Sequence, residues 1–433
     1  MMLRNMVLFR ACFGANRITE FVSVFEKMHP NLKIDWDWDE NCVLYRGGDY
    51  GPTLIQRLPN HLTAVEWADI AVQCVGCRGV FQVLGEGDNL AQCVQSVGNL
   101  TDLQILKMIQ GTWSIQFRFL GRSQHLHPTE RTRRIESFRE VLGVLTQRTV
   151  SLESPDHELW LLEDHRILES ADIPDGDEAL CYCGLWLRVK SSIHPTATEL
   201  VELSDVKKRP FIHTTTMPAD RALLMANLAK IQTGSRVLDP FCGSGGLLLA
   251  ASLLGGVCVG ADIDVALLCH RDQPLPFAPS SNRPHRGVEK VSYMDSFAEL
   301  KLSDPKILVG LNIEDATAIE QFFKVNGAQG YQSILTDPPY GIRESISLKN
   351  EHQMMQRLCE VGQNLLTRGG RLVYLHVMEC QVQTLSIIQS GLEMQIQSIA
   401  AQFDFRMISC AMERFNGKLW RATIVLERQN CTQ

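Results

Sequence analysis

The sequence lacks a hydrophobic segment of the kind that crosses or enters a membrane. Its longest uncharged apolar run, Leu247 to Ala261, contains three glycines and is shorter than the about 20 residues that span a bilayer. The apolar stretch from Met1 to Phe13 is interrupted by Arg4 and Arg10, so it contains no signal-peptide core of the usual length. We therefore expect a cytoplasmic protein.

The chain also lacks an excess of basic charge. It has 433 residues, with 42 lysines and arginines against 49 aspartates and glutamates, for a net charge of −7. This balance is not that of a simple basic nucleic-acid binder. The hydrophobic fraction of 45% excludes wholesale disorder, and the length allows two or three domains.

One stretch departs from this acidic balance. Between residues 111 and 148, seven arginines and three glutamates give a local charge of +4. A solvated helix face is one interpretation. The other is a patch that contacts nucleic-acid phosphates, for which Arg131, Arg133 and Arg134 are the candidates.

The fourteen cysteines lack the compact spacing of a disulfide framework. Cys74 and Cys77, together with Cys181 and Cys183, could supply four thiolates to zinc. The apolar, strand-like stretch from Ile70 to Cys77 favours a different interpretation, in which these cysteines are small buried hydrophobic residues. We predict no metal site.

The first 190 residues mix strand and helix signals. A helix is predicted by the spacing of Phe21, Phe25 and Met28 after the cap candidate Thr19. Further helices are predicted over 90–97 and 103–109, and strands over 7–11, 80–84, 113–119 and from 156 onward. The strand over 113–119 alternates with period two, which indicates one buried face.

The pattern becomes regular after a segment, 191–210, that we interpret as a linker. Helices are predicted over 218–230, 246–254 and 351–366, and strands over 236–238, 257–260, 306–310, 333–335 and 371–377. Strands that alternate with helices predict an α/β fold with a parallel, doubly wound sheet.

A glycine-rich turn follows the first of these strands. The run Asp239-Pro240-Phe241-Cys242-Gly243-Ser244-Gly245-Gly246 lies between a hydrophobic strand and an apolar helix. Glycines let the backbone approach a ligand closely, and the start of a helix adds partial positive charge. The turn is not a P-loop, because no Gly-Lys-Ser/Thr follows. It indicates a nucleotide-type cofactor near Asp239, Phe241, Gly243 and Gly245.

An acidic residue ends the next strand, about 20 residues later. Doubly wound sheets place such a carboxylate where it accepts hydrogen bonds from ribose hydroxyls. Asp262 is the first candidate and Asp264 the second, although Asp264 could equally cap a helix.

The third signal is Thr336-Asp337-Pro338-Pro339-Tyr340-Gly341, which follows a hydrophobic strand. Two prolines fix φ and remove amide donors, which leaves carbonyl groups free to face a cleft. A carboxylate from Asp337, the carbonyl of Pro338 and the ring of Tyr340 then converge. An exocyclic amine of a nucleobase needs two acceptors and a stacking partner, and this run supplies both.

The motifs together resemble the S-adenosylmethionine-dependent amino-methyltransferases, and among them the eukaryotic tRNA (guanine-10, N2)-methyltransferase catalytic subunits. The resemblance extends over nearly the whole chain. The stretches that carry it are Ser154–Trp160, Lys207–Met217, Leu223–Asn227, Asp239–Gly246 and Thr336–Glu344.

The resemblance implies a division of the chain and a set of partners. It implies a ferredoxin-like unit over 1–62, a THUMP RNA-binding domain over 63–190 and a Rossmann-like methyltransferase over 211–433. The cofactor would be S-adenosylmethionine, the substrate tRNA, and the partner a small zinc-binding activator protein. Asp337, Pro338 and Tyr340 would be catalytic.

The acid that binds the adenine of the cofactor has two candidates. Asp315 follows the strand predicted over 306–310, which is the position that such sheets use, whereas Asp295 precedes that strand on a predicted helix. We assign the role to Asp315.

Two other functions fit the same motifs. One is methylation of N2 of guanine or N6 of adenine at another position of tRNA or rRNA. The other is a non-catalytic RNA-binding subunit, although Asp337, Tyr340 and the glycine-rich turn are all retained.

Overall fold

The computed structural model describes residues 4–10, 13, 15–34, 36, 55–120, 127–164, 179–187, 195–212, 216–262, 293–302, 306–309, 330–339, 351–379, 385–416 and 419–430. Three residues singled out above, Asp264, Asp315 and Tyr340, lie outside these ranges. The same holds for residues 213–215 and 341–344 of the stretches that carry the resemblance.

The N-terminal half is built on one six-stranded sheet. Its strands are β1 (Arg4–Phe9), β2 (Ile55–Leu58), β3 (Cys77–Gly87), β4 (Trp113–Leu120), β5 (His157–Asp164) and β6 (Leu180–Leu187). They lie in the order β2-β1-β3-β6-β5-β4, and every pair is antiparallel except β4 with β5. Since β1 pairs with β3, residues on both sides of the boundary expected at residue 62 share one sheet.

Five helices accompany this sheet: α1 (Asn16–Met28), α2 (Ala64–Val72), α3 (Leu90–Val97), α4 (Asp102–Met108) and α5 (Pro128–Ser137). Thr63 and Thr101 begin α2 and α4 with capping boxes. The predicted start of α1 at Thr19 is wrong, because the helix begins at Asn16 after Ala15, whose side chain makes no capping hydrogen bond. Asn16 and Arg17 are fully buried, so tertiary packing rather than a local cap fixes this end.

The cysteine pairs lie in two different cores. Cys74 and Cys77 pack beneath α1 and α2, whereas Cys181 and Cys183 pack with α3 and α4. The structure therefore does not assemble the four thiolates into one site. The strand predicted over Ile70–Cys77 is also wrong, because α2 continues to Val72 and β3 begins only at Cys77. Burial raises the pKa of Cys74, Cys77 and Cys183.

The C-terminal half is built on a seven-stranded sheet. Its strands are β7 (Arg236–Asp239), β8 (Val257–Asp262), β9 (Lys306–Val309), β10 (Tyr331–Thr336), β11 (Leu366–Glu379), β12 (Phe405–Asn416) and β13 (Leu419–Arg428). They lie in the order β12-β13-β11-β10-β7-β8-β9, in which β7 to β11 are parallel. The predicted doubly wound, Rossmann-like sheet is confirmed. The antiparallel hairpin β12–β13 that extends it was not predicted.

Helices cover both faces of this sheet: α6 (Ala197–Leu203), α7 (Ala219–Leu228), α8 (Gly246–Leu253), α9 (Tyr293–Glu299), α10 (Glu351–Leu365) and α11 (Leu385–Gln402). One core contains α6, α7 and α8, and the other contains α10 and α11. Among the described helices, none has the length and hydropathy that a membrane span requires.

Helix α6 lies within the segment predicted as a linker, 191–210. Thr196 and Glu199 form a capping box at its start, and Ala197 and Leu200 are buried in the core with α7 and α8. The interpretation of this segment as a linker therefore needs correction, because α6 is packed into the core of the C-terminal half.

Helix α1 joins the two halves through buried polar contacts, here called the α1 junction. Glu20 accepts a hydrogen bond from Asn227 Nδ2 at 2.8 Å. Arg371 Nη1 donates to Ser23 Oγ at 2.8 Å, and Arg371 also pairs with Glu26 at 3.4 Å. Burial raises the pKa of Glu20 to about 7, although the Asn227 amide opposes this rise. The α1 junction fixes the N-terminal sheet against the C-terminal half.

Candidate active site

The glycine-rich turn between β7 and α8 is held against the end of β8. Gly243 and Gly245 have φ values of 46° and 76°, which favour glycine. Cys242 N donates to Ala261 O at 2.8 Å. Gly243 N donates to Asp262 Oδ2 at 2.8 Å, and Gly245 N donates to Cys242 O at 2.7 Å. Gly243 and Gly245 therefore shape the turn, and their amides donate within the protein.

Asp262 lies at the end of β8, as predicted, and directly contacts the turn. The close approach of α8 to β8 depends on Gly260, because a Cβ atom there would lie 2.6 Å from Leu248 Cδ1 and 2.9 Å from Cys242 Sγ. The acid and the glycine-rich turn are thus brought together at the carboxyl edge of the sheet, where open α/β sheets bind ligands.

Asp239 connects β7 to β10, the two neighbouring strands between which the strand order reverses. It is buried at the end of β7, and its Oδ1 accepts from Thr336 Oγ1 of β10 at 2.7 Å and from Phe241 N at 3.1 Å. Burial raises the pKa of Asp239 to about 8, against the lowering effect of these two donors, and the charges of Asp262 and Asp337 add to the rise. Three carboxyl groups therefore interact at this edge.

Asp337 and Pro338 leave β10 directly at this point. Pro338 is buried, and Asp337 and Pro339 are half-buried. The charge of Asp337 reaches Asp239 at the start of the glycine-rich turn, where it contributes to the raised pKa of Asp239. The role of Tyr340 stays a prediction.

The raised pKa of Asp239 predicts a specific pH dependence of stability. The folded state retains a proton on Asp239 between its usual range and about pH 8, whereas the unfolded state releases it near pH 4. Stability that Asp239 contributes is therefore lost as the pH rises from about 4 to 8. We expect Asp239→Asn to change the slope of the unfolding free energy against pH by up to about 1.4 kcal/mol per pH unit. This slope corresponds to the loss of one titrating proton. Urea unfolding at a series of pH values measures both slopes, and equal slopes would contradict the assignment.

The two candidates for the adenine-binding acid are placed differently. Asp295 lies on helix α9, as the sequence predicted. Asp315 lies outside the described residues, so its choice stays a prediction.

The three candidate arginines on α5 do not share one environment. Arg131 and Arg133 are exposed, whereas Arg134 is only 6% exposed. Arg134 Nε pairs with Glu163 Oε1 of β5 at 2.5 Å, and Arg134 Nη1 pairs with Glu130 Oε1 at 2.9 Å. The interpretation of Arg134 as a phosphate contact is corrected, because two glutamates already neutralise its charge.

The sequence analysis missed two residues beside the turn. Thr216 Oγ1 lies 2.9 Å from Ser244 Oγ. The guanidinium of Arg209 faces Gly246, at which a Cβ atom would lie 3.3 Å from Arg209 Nη1. The Lys207–Met217 stretch contains both, but its first residues were assigned to a linker.

Comparisons with known proteins find methyltransferases that are similar to this chain. Residues 207–398 match a family model described as UPF0020, RMKL-like, methyltransferase domain. The human tRNA (guanine(10)-N(2))-methyltransferase TRMT11 is 29% identical over 314 residues, which cover 71% of this chain and 63% of the human protein. The tRNA (guanine(10)-N(2))-methyltransferase of Saccharomyces cerevisiae is 27% identical over 324 residues, which cover 73% and 64%.

The chain spans less than two thirds of the length of these relatives. Among solved structures, TrmN from Thermus thermophilus superposes with a TM-score of 0.44 and 15% identity, and the match covers 98% of this chain and 99% of TrmN. The similarity to the tRNA (guanine(10)-N(2))-methyltransferases that the motifs predict is thus confirmed, and the methyltransferase match includes the glycine-rich turn, Asp262, Asp337 and Pro338.

Proposed function

We propose that this protein transfers a methyl group from S-adenosylmethionine to the exocyclic N2 of guanosine at position 10 of tRNA. The observation that carries the proposal is the placement of Asp337 and Pro338. They leave β10 at the reversal point of the sheet, beside the turn that begins at Asp239. A methyl acceptor held by Asp337 would therefore lie close to a cofactor held by the turn.

The residues at this edge suit an aromatic amine. The lone pair of guanine N2 is delocalised into the ring, so the amine is a weak nucleophile. The Asp337 carboxylate and the Pro338 carbonyl are two acceptors for its N–H groups, and together they orient the lone pair. Catalysis then depends mainly on positioning. Tyr340 is the proposed stacking partner of the base.

The ends of β7 and β8, next to the start of α8, suit the cofactor. Asp262 lies where ribose hydroxyls are bound in doubly wound sheets, and the start of α8 offers amides that have no partner within the helix. S-adenosylmethionine supplies an electrophilic methyl group on a sulfonium centre. Asp315 is the proposed partner of its adenine.

The N-terminal half is the proposed THUMP-containing RNA-binding region, and Arg131 and Arg133 are its candidate phosphate contacts. Replacing both by glutamine should weaken tRNA binding and lower the slope of log K against log salt by about 2. Filter binding at several salt concentrations measures this slope. Arg406→Gln is the control, because Arg406 is an exposed arginine of the catalytic half that pairs with Glu427. An unchanged slope in the double variant would exclude this face.

The proposal also includes a small zinc-binding activator protein as a partner and a cytoplasmic location. The activator rests on the family resemblance, and the location rests on the pattern of apolar runs in the sequence. The activator enters the test below as a separate component.

Methylation of tRNA transcripts in vitro tests the proposal. A transcript with inosine at position 10 is a matched control, since inosine differs from guanosine only by the missing N2 amine. We expect labelled methyl transfer to the guanosine transcript, alone or with the activator, and none to the inosine transcript. Mass spectrometry of the nucleosides should identify N2-methylguanosine.

The alternatives give different products. Methylated adenine, or methylated guanine at another position, would show that the protein is a methyltransferase with a different target nucleotide. Binding of tRNA without methyl transfer to any transcript, with the activator present, would favour a non-catalytic subunit.

A further inference from the structure

A buried arginine lies beside the first turn of α8. Arg209 is 4% exposed, and its Nε donates to Ser204 O at 3.0 Å. Its Nη2 is buried without a hydrogen-bond partner among the described residues. The guanidinium faces Gly246, the first residue of α8, since a Cβ atom there would lie 3.3 Å from Nη1.

The described residues supply no carboxylate that pairs with the charge of Arg209. The N-terminus of a helix carries partial positive charge, so Arg209 places a cation where the helix disfavours one. No carboxylate among the described residues forms an ion pair with Arg209, and the charge of Asp205 only partly offsets the effect of burial, which lowers the pKa of Arg209 to about 10. A buried cation without a partner is costly.

An anion at this position would resolve both features. It would accept hydrogen bonds from the guanidinium and from the first amides of α8, which have no acceptor within the helix. The hydroxyl groups of Thr216 and Ser244 are 2.9 Å apart, and a Cβ atom at Gly246 would lie 3.8 Å from Cβ of Met217, the residue after Thr216. Arg209 and the start of α8 together form a positively charged corner beside the glycine-rich turn.

We propose that Arg209 binds the carboxylate of the methionine part of S-adenosylmethionine. This inference rests on the proposed function, because it takes the glycine-rich turn as the cofactor site. A planar guanidinium matches a carboxylate with two parallel hydrogen bonds. The near-complete burial of Arg209 favours a small ligand over an RNA phosphate, which would need an exposed cation.

Binding of two cofactor fragments to the full-length chain tests the inference. S-adenosylhomocysteine has the carboxylate, whereas 5′-deoxy-5′-methylthioadenosine lacks the amino-acid part. By calorimetry, we expect Arg209→Met to weaken binding of S-adenosylhomocysteine by at least tenfold, about 1.4 kcal/mol. Its affinity for methylthioadenosine should stay within about twofold of the wild-type value. Arg209→Lys, which retains the charge, should lose less.

Each contrary outcome has one meaning. Equal weakening of both ligands in Arg209→Met would show that Arg209 only supports the fold, and unchanged binding of both would show that it does not contact the cofactor. If Arg209→Met does not fold, Arg209→Lys and wild type are compared with the same two ligands, and an equal change in both affinities overturns the inference. A wild-type chain that binds neither ligand, with the activator present, would overturn the proposed function as well.

Discussion

Replacing Asp337 by alanine should lower the rate of methyl transfer by about 10²–10³, the usual effect of removing one preorganised polar group from a catalytic site. Asp337 is half-buried beside the turn that begins at Asp239, and it is the only carboxylate in the run Thr336–Gly341. The amine of the base would lose one of its two acceptors and the orientation that they impose. Initial rates on a tRNA transcript measure the effect.

Two controls separate chemistry from folding in this experiment. Binding of S-adenosylhomocysteine to Asp337→Ala should stay close to wild type, because Asp262 and the glycine-rich turn are unchanged. Asp337→Asn keeps the shape and one carbonyl acceptor, and it should retain more activity than alanine. Wild-type turnover in Asp337→Ala would refute the proposed active site.

Replacing Trp67 by alanine should lower the free energy of unfolding by about 3–5 kcal/mol. Trp67 is fully buried on α2, and its ring stacks against Phe21 and Phe25 of α1 with centroid distances of 6.0 and 5.7 Å. Its indole N–H donates to Pro59 O at 3.2 Å. The change would remove a large side chain from the core on which α1 rests, and urea unfolding measures the loss.

Val65→Ala is the matched control for this change, because Val65 lies on the same helix and is 60% exposed. Its effect should stay within about 0.5 kcal/mol. A loss of less than 1 kcal/mol in Trp67→Ala would mean that this aromatic cluster contributes little to stability.

The parts of the site that are local in sequence could be predicted. Asp239, Asp262 and Asp337 each end a hydrophobic strand, and the carboxyl ends of parallel strands meet at one edge of a sheet. The order of strands and helices was enough to bring these acids together. The same alternation predicted the central sheet from β7 to β11, because each strand there contains an apolar run.

The parts that depend on distant residues could not be predicted. Arg134 looks like a phosphate contact until Glu163, 29 residues later, is placed beside it. The segment 191–210 looks like a linker because its short helix is recognisable mainly from the core that covers Ala197 and Leu200. The position of Arg209 beside Gly246 likewise depends on that packing.

The α1 junction has a consequence for how this protein can be divided or recombined. Asn227 and Arg371 belong to the catalytic half, yet each donates hydrogen bonds to α1, to Glu20 and Ser23 respectively. A truncated chain that starts after α1 would remove one acceptor from each donor, although Asn227 Nδ2 would keep Gln73 O and Arg371 Nη1 would keep Leu228 O. A chimera made with a relative should therefore exchange α1 together with the C-terminal half, since these contacts cross the boundary between the two sheets.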